Sequence, residues 1–363
     1  MRKSVVHVVV AGEVGGAERM LVDLAKDTRS REHSVALFTP NERLRALFRD
    51  ASIAVHDRGP VREGPLPYLV RTLGPADTSW LTRILRSKNA GIVHLHTFAS
   101  QVLGTRAARR HGARIVRTEH STRVYDDPTC WPFSRWSLKR ADAAVCISAH
   151  VHEVALARAP WAKRKLSVVP NGVDTARFAP APLAYLSPNE HVRFVALGRL
   201  EPRKGFDIAV EALARVERAD LTIVGEGEER SRLEQLARRL GVENRVHFAG
   251  FASDVRAHVA RGHLGLSSSR SEGLGIALLE TMATGRAVVA LPTGGIPEIV
   301  DDGSTGWLAK GHGPAALASV MNAAIEAPDE IPRRAALARA RVAEKFSVDA
   351  MRASYERLYE TLD

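Results

Sequence analysis

Cysteine is nearly absent from the 363-residue chain: Cys130 and Cys146 are the only two. They form no CxxC pair and no histidine-cluster spacing that grips zinc. A reduced cytosolic compartment and no structural metal are expected. No apolar run approaches the roughly 18 residues of a membrane span, so no segment is expected to cross a bilayer. Met1-Arg2-Lys3-Ser4 followed by Val5 to Ala11 imitates a short secretion signal. Gly12 and Gly15-Gly16-Ala17-Glu18 continue it into a glycine turn and a helix, which reads instead as a first buried strand. There is no internal repeat and no low-complexity tail, and no Asp-x-Asp stands at a strand end as a metal site.

What is present fits a soluble globular enzyme: 45% hydrophobic and 26% charged residues. The length suggests roughly two domains. The net charge of +11 is unevenly spread, with 29 Lys+Arg against 16 Asp+Glu in residues 1–180 and 23 against 25 in the remainder. A basic excess confined to the first half points to an anionic partner there: a membrane surface, a phosphorylated lipid or nucleic acid. A coding bias toward arginine gives the same count with no partner at all.

Apolar, β-branched runs recur at 5–11, 33–38, 91–95, 114–117, 143–147 and 166–169, with helical periodicity between them. That alternation predicts a parallel sheet, and a second series at 192–198, 220–224, 245–249, 263–267 and 286–291 predicts another. The proline-rich stretch from Phe178 to Asn189 reads as the linker between them. From Asp57 to Asp77 glycine and proline break any period, which predicts a long irregular loop suited to acceptor recognition. Phe346, Met351, Tyr355, Leu358 and Tyr359 have helical spacing and predict an amphipathic tail helix. Open parallel sheets bind ligands beyond the carboxyl ends of their strands, so two such domains imply a cleft.

The most informative segment is Ser271-Glu272-Gly273-Leu274-Gly275-Ile276-Ala277-Leu278-Leu279-Glu280. Its glycines put Glu272 on a turn, and Ile276 opens a helix whose first N–H groups can seat a phosphate. Glu280 lies roughly one turn deeper, at about 1.5 Å rise per residue, within reach of a sugar ring. A helix cap and a solvated charge explain the same two residues without any ligand. Gly198-Arg199-Leu200-Glu201-Pro202-Arg203-Lys204-Gly205 follows the first strand of the second series, and Arg199 and Lys204 can converge there on a diphosphate. Gly15 and Gly16 after the first strand suit a phosphate or a plain turn, and their spacing is not a dinucleotide fingerprint. Gly225-Glu226-Gly227 leaves room for a nucleobase, or is an ordinary loop. His120, in Thr118-Glu119-His120, can hydrogen-bond a sugar hydroxyl, with His94 and His96 as competitors.

Together with Pro170-Asn171-Gly172-Val173-Asp174, Gly294-Gly295-Ile296-Pro297-Glu298 and Gly303-Ser304-Thr305-Gly306, these motifs occur in an order that resembles the retaining glycosyltransferases of family 4 over nearly the whole chain. The resemblance implies an α/β GT-B fold, two Rossmann-like parallel-sheet domains facing a central cleft. The acceptor domain is expected at 1–177, the donor domain at 190–345, and a C-terminal helix from about 346 to 363 crossing back to the first domain. It implies that Arg199 and Lys204 bind the diphosphate of a UDP- or GDP-sugar and Glu280 its ribose. Glu272 and the backbone of Gly273, Leu274, Gly275 and Ile276 would hold the sugar and distal phosphate. Gly15 and Gly16 would cover the phosphates, Gly225 would flank the nucleotide, and His120 would line the reacting centre beside Glu272. Asn171 to Asp174 would be structural.

The implied reaction needs no cofactor or metal, because Arg199, Lys204 and helix N-termini supply the positive charge. It moves a hexose-type sugar with retention to a glycan or lipid-linked acceptor of the cell envelope. Same-face substitution and double displacement stay open, as does a nucleotide-sugar epimerase on the same fold. A basic protein without catalysis, bound to nucleic acid or membrane, is the alternative from another class. Its nearest candidate surface, Trp131-Pro132-Phe133-Ser134-Arg135-Trp136-Ser137-Leu138-Lys139-Arg140, fits an anionic membrane at least as well. Peripheral contact with the inner face of the plasma membrane, and no nucleic-acid partner, are therefore expected.

Overall fold

A computed structural model describes residues 4–10, 14–26, 31–60, 65–183, 186 and 190–363. Gly12 and the stretch 61–64 lie outside them. The chain forms two compact units, Met1–Gly172 with Val348–Asp363, and Val173–Ser347.

The first unit is built on seven parallel strands: β1 (Ser4–Val10), β2 (His33–Phe38), β3 (Ala54–Asp57), β4 (Ala90–Leu95), β5 (Arg114–Glu119), β6 (Ala143–Cys146) and β7 (Leu166–Val168). Their order is β3-β2-β1-β4-β5-β6-β7. Every residue of β1, β2 and β4 is buried, as expected of strands covered on both faces. The second unit has six: β8 (Val192–Leu197), β9 (Ala219–Val224), β10 (Val246–Gly250), β11 (Leu264–Ser267), β12 (Ala287–Ala290) and β13 (Gly306–Leu308), ordered β10-β9-β8-β11-β12-β13. All pairings are parallel. Both are thus Rossmann-like α/β sheets.

Three expectations are corrected. The irregular loop over 57–77 is largely helical, with helices Pro65–Leu73 and Pro75–Ser87. Its prolines break the periodicity, yet Pro75 stands in the first turn after the Gly74 cap, where a missing N–H costs nothing. The expected linker is clamped onto the second unit at its start. The buried Arg286 guanidinium donates to the carbonyls of Ala181 (2.9 Å) and Pro182 (2.8 Å). Phe346 is not part of the tail helix: it ends the preceding helix, Glu330–Lys345, and its carbonyl accepts from Val173 N–H at 2.8 Å.

The last helix, Val348–Glu360, packs on the first unit. Met351, Tyr355 and Tyr359 join Val5, Ile92, Val116 and Val145 in one core cluster. Arg31, its side chain wholly buried, pins the helix end through Glu356 (3.1 Å) and Asp363 (2.7 Å).

Candidate active site

At the carboxyl end of β8 the chain turns through Gly198 and a short 3-10 turn, Pro202–Lys204, and then enters helix Phe206–Leu213 through the left-handed Gly205. At the carboxyl end of β11 it runs through Ser268, Ser269 and Arg270 to Glu272, and Gly275 (φ 108°) caps helix Ile276–Ala283. These two strands are neighbours in the sheet, so loops 68 residues apart in sequence meet. Lys204 Nζ donates to Glu272 Oε2 at 2.7 Å, with both side chains only 13% exposed. Ser269 Oγ donates to the same oxygen at 3.2 Å, and Ser268 Oγ donates to the Lys204 carbonyl at 3.2 Å. A bidentate pair, Arg270 on Asp207 at 2.6 and 2.7 Å, ties this loop to the neighbouring helix. The pocket beside them is lined by Lys204, Ser269, Glu272, Gly275 and Ala277.

An ammonium has three donors, and Glu272 takes one. Lys204 therefore holds the carboxylate and keeps two N–H groups for an anion. The first N–H groups of helix Ile276–Ala283, which have no intrahelical acceptor, add to the positive field. The arrangement can seat a phosphate within a few ångströms of a fixed carboxylate.

The other predicted residues of the second unit stand on strand-end turns and on helix Ile276–Ala283. Arg199 is on the same loop, about half exposed and 3.7 Å from Glu201. Glu280 lies one turn inside helix Ile276–Ala283 and is half-buried. Leu274 is buried with its main chain packed against Gly295, while Gly273 and Ile276 are half-buried. Gly225 has a structural reason of its own: a Cβ there would stand 1.9 Å from the Gly198 carbonyl oxygen, so two strand-end turns touch backbone to backbone. Sequence reading did not assign the serines that brace the pair. Nor did it see that Gly294 passes so close to the Glu272 carbonyl that a Cβ would lie 1.9 Å from it.

In the first unit, Gly15 is the N-cap of helix Gly16–Ala25, and its N–H donates to Glu18 Oε2 at 2.9 Å. The structure also separates the three competing histidines. His94 uses both ring nitrogens, on Tyr359 Oη and Thr118 Oγ1, each at 2.7 Å. His96 Nε2 meets His7 Nδ1 at 2.9 Å, and His7 Nε2 meets His33 Nδ1 at 2.8 Å. His96 Nδ1 and both nitrogens of His120 are buried with no partner among the described residues, and the two rings are 5.8 Å apart. Burial lowers His120 to about 4, so its ring is neutral near pH 7, one nitrogen a donor and the other an acceptor. His7, His94 and His96 converge closely enough to hold a cation. Both nitrogens of His7 and of His94 already have hydrogen-bond partners, so the cluster is a bonded core network.

Two family descriptions match the chain: Glycosyltransferase Family 4 over residues 14–177 and Glycosyl transferases group 1 over 191–327. A GDP-mannose-dependent alpha-(1-6)-phosphatidylinositol monomannoside mannosyltransferase of Mycobacterium tuberculosis is 32% identical over 308 residues, 78% of this chain and 78% of that protein. A component of the phosphatidylinositol N-acetylglucosaminyltransferase of Arabidopsis thaliana is 30% identical over 65% of this chain, and the match spans only 56% of that relative's length. Among solved structures, Anabaena HepE in complex with UDP-glucose superposes with a TM-score of 0.84 at 23% identity, over 99% of each chain. That likeness is one of fold, and the fold is GT-B. The mannosyltransferase match carries the kinship, and with a family description on each sheet the chain belongs to glycosyltransferase family 4.

Proposed function

We propose that the chain transfers a hexose-type sugar, with retention, from a nucleoside diphosphate sugar to a hydroxyl of a glycan or lipid-linked acceptor in the cell envelope. The observation that carries this is the Lys204–Glu272 pair at the mouth of helix Ile276–Ala283. Lys204, Arg199 and the helix N-terminus neutralise the diphosphate as it leaves, which is the task a divalent cation performs elsewhere, so the reaction proceeds without metal. Glu272 orients the sugar and stabilises the positive charge that grows on its ring. The departing phosphate oxygen takes the acceptor proton. Glu280 holds the ribose.

The donor reading is supported by the UDP-glucose in the Anabaena protein and the GDP-mannose named for the mycobacterial one. Phosphatidylinositol in the names of two relatives supports a hydroxylated, lipid-linked acceptor. We assign the acceptor hydroxyl to the carboxyl edge of the first sheet, where His120 offers a neutral ring. The basic first half brings that unit to an anionic membrane surface.

Thermal unfolding with UDP, GDP and ADP tests the donor site. The right diphosphate at a hundredfold excess over its dissociation constant stabilises by about 2.7 kcal/mol. If none of the three raises the midpoint, the reading fails.

A further inference from the structure

Two ion pairs cross the same two segments of the second unit, with their charges in opposite sense. The segment after β8 carries Lys204 and, three residues on, Asp207 in the first turn of helix Phe206–Leu213. The loop after β11 carries Arg270 and, two residues on, Glu272. Lys204 meets Glu272 and Arg270 meets Asp207, so each segment offers the other one acid and one base. The two pairs differ in kind. Lys204 makes a single contact to Glu272 and keeps donors for a ligand. Arg270 is committed to protein: Nη1 and Nη2 donate to the two carboxylate oxygens of Asp207 at 2.6 and 2.7 Å, and Nη1 donates also to the Pro202 carbonyl at 3.1 Å. A planar fork on a carboxylate fixes orientation as well as distance, which one ammonium contact does not.

Main-chain contacts join the same seam. Arg270 N–H donates to the Arg203 carbonyl at 2.8 Å, and a Cβ on Gly205 would stand 2.3 Å from the Ser268 carbonyl oxygen. Lys204 lies between Arg203 and Gly205, so its backbone is held from both sides. Burial raises the Asp207 carboxyl, yet the Arg270 guanidinium more than offsets this and holds it below the usual carboxylate range. Arg232 stands farther off, at 4.0 Å. The Arg270 side chain is 45% exposed, and a pair this open to water adds little to overall stability. What the bridge contributes is the spacing of the two segments.

We propose that Arg270 and Asp207 are positioning residues of the donor site: their bridge sets the separation of the two segments and, with it, the place of Lys204 against Glu272. This rests on the donor reading above and extends it to two residues outside the pair itself. A positional role and a purely electrostatic one predict opposite signs. Asp207→Asn removes a negative charge near an anion site and releases a guanidinium, so charge alone would tighten diphosphate binding. Lost position weakens it about tenfold, because a displacement of about an ångström is costly in a preorganised site.

The test is calorimetric titration of UDP and GDP into the full chain as wild type, Asp207→Asn, Lys204→Ala and the double variant. Asp207→Asn should bind the preferred diphosphate about tenfold more weakly than wild type, with its thermal midpoint little changed. In the Lys204→Ala background the same substitution should change affinity less than about twofold, because the bridge acts through Lys204. Arg270→Ala removes charge of the other sign, yet should weaken binding likewise and lose its effect in that background. Equal or tighter binding by Asp207→Asn overturns the positioning role and leaves the donor reading standing. Unchanged affinity in Arg270→Ala does the same, as does an undiminished loss in the Lys204→Ala background. A wild type that binds neither diphosphate removes the donor reading and this inference with it.

Discussion

Acid should unfold this protein well above the range where carboxylates protonate, and the cause is the histidine network under the terminal helix. His7, His94 and His96 are held well below their ordinary value of 6.5, by burial first and then by neighbouring histidines, and burial alone brings His120 to about 4. In the folded state all four stay neutral as pH falls, whereas in the unfolded chain each takes up a proton near pH 6.5. Below 6.5 the unfolded state binds more protons, so stability falls with pH, while above about 7.5 it is flat. At pH 5.5 each group costs slightly more than about 1 kcal/mol, and the four together roughly 5–6 kcal/mol. That is comparable with the whole stability of a modest domain. Asp207, Asp254 and Glu330 sit below the usual carboxylate range, so their loss comes at lower pH. His263 in the second unit, brought to about 4 mainly by burial, adds one further proton. Urea unfolding followed by circular dichroism between pH 8 and 5.5 reads this as a falling midpoint. His120→Gln should make the pH slope shallower by about 1.4 kcal/mol per unit. A midpoint that does not move between pH 7.5 and 5.5 refutes the reasoning.

Glu272→Gln keeps an acceptor for Lys204 but loses the charge, so turnover should drop about a hundredfold with nucleotide affinity nearly unchanged. Full activity would remove its role. Glu280→Ala should raise KM for the donor more than it lowers kcat; an effect on kcat alone would contradict a ribose contact. Gly225→Ala forces a Cβ to 1.9 Å from the Gly198 carbonyl, and should destabilise the second unit by about 3 kcal/mol in urea unfolding; an unchanged midpoint would show that the turns can part.

Strong periodicity made most strands legible. The two absent from the sequence reading are β3, a half-buried edge of four residues, and β13, only three residues long. Neither offers enough alternation for a pattern to register. In the site, each half of the Lys204–Glu272 pair was visible as part of a motif. Their contact was not, because it depends on β8 and β11 being neighbours, a crossover no local pattern encodes. The division between a diphosphate grip and a sugar carboxylate is correspondingly less sharp in space than in sequence, since Lys204 touches Glu272 directly. The role of Gly225 was hidden for a similar reason: its constraint is another loop's carbonyl.

The claim that the second unit holds a nucleoside diphosphate through Lys204 is tested most directly by calorimetric titration of UDP and GDP into the wild type and Lys204→Ala. Removing a charge-assisted hydrogen bond of about 1.5–3 kcal/mol should weaken the preferred diphosphate at least about tenfold, with the fold unchanged. Equal affinity in the two proteins would place the diphosphate elsewhere and contradict the account.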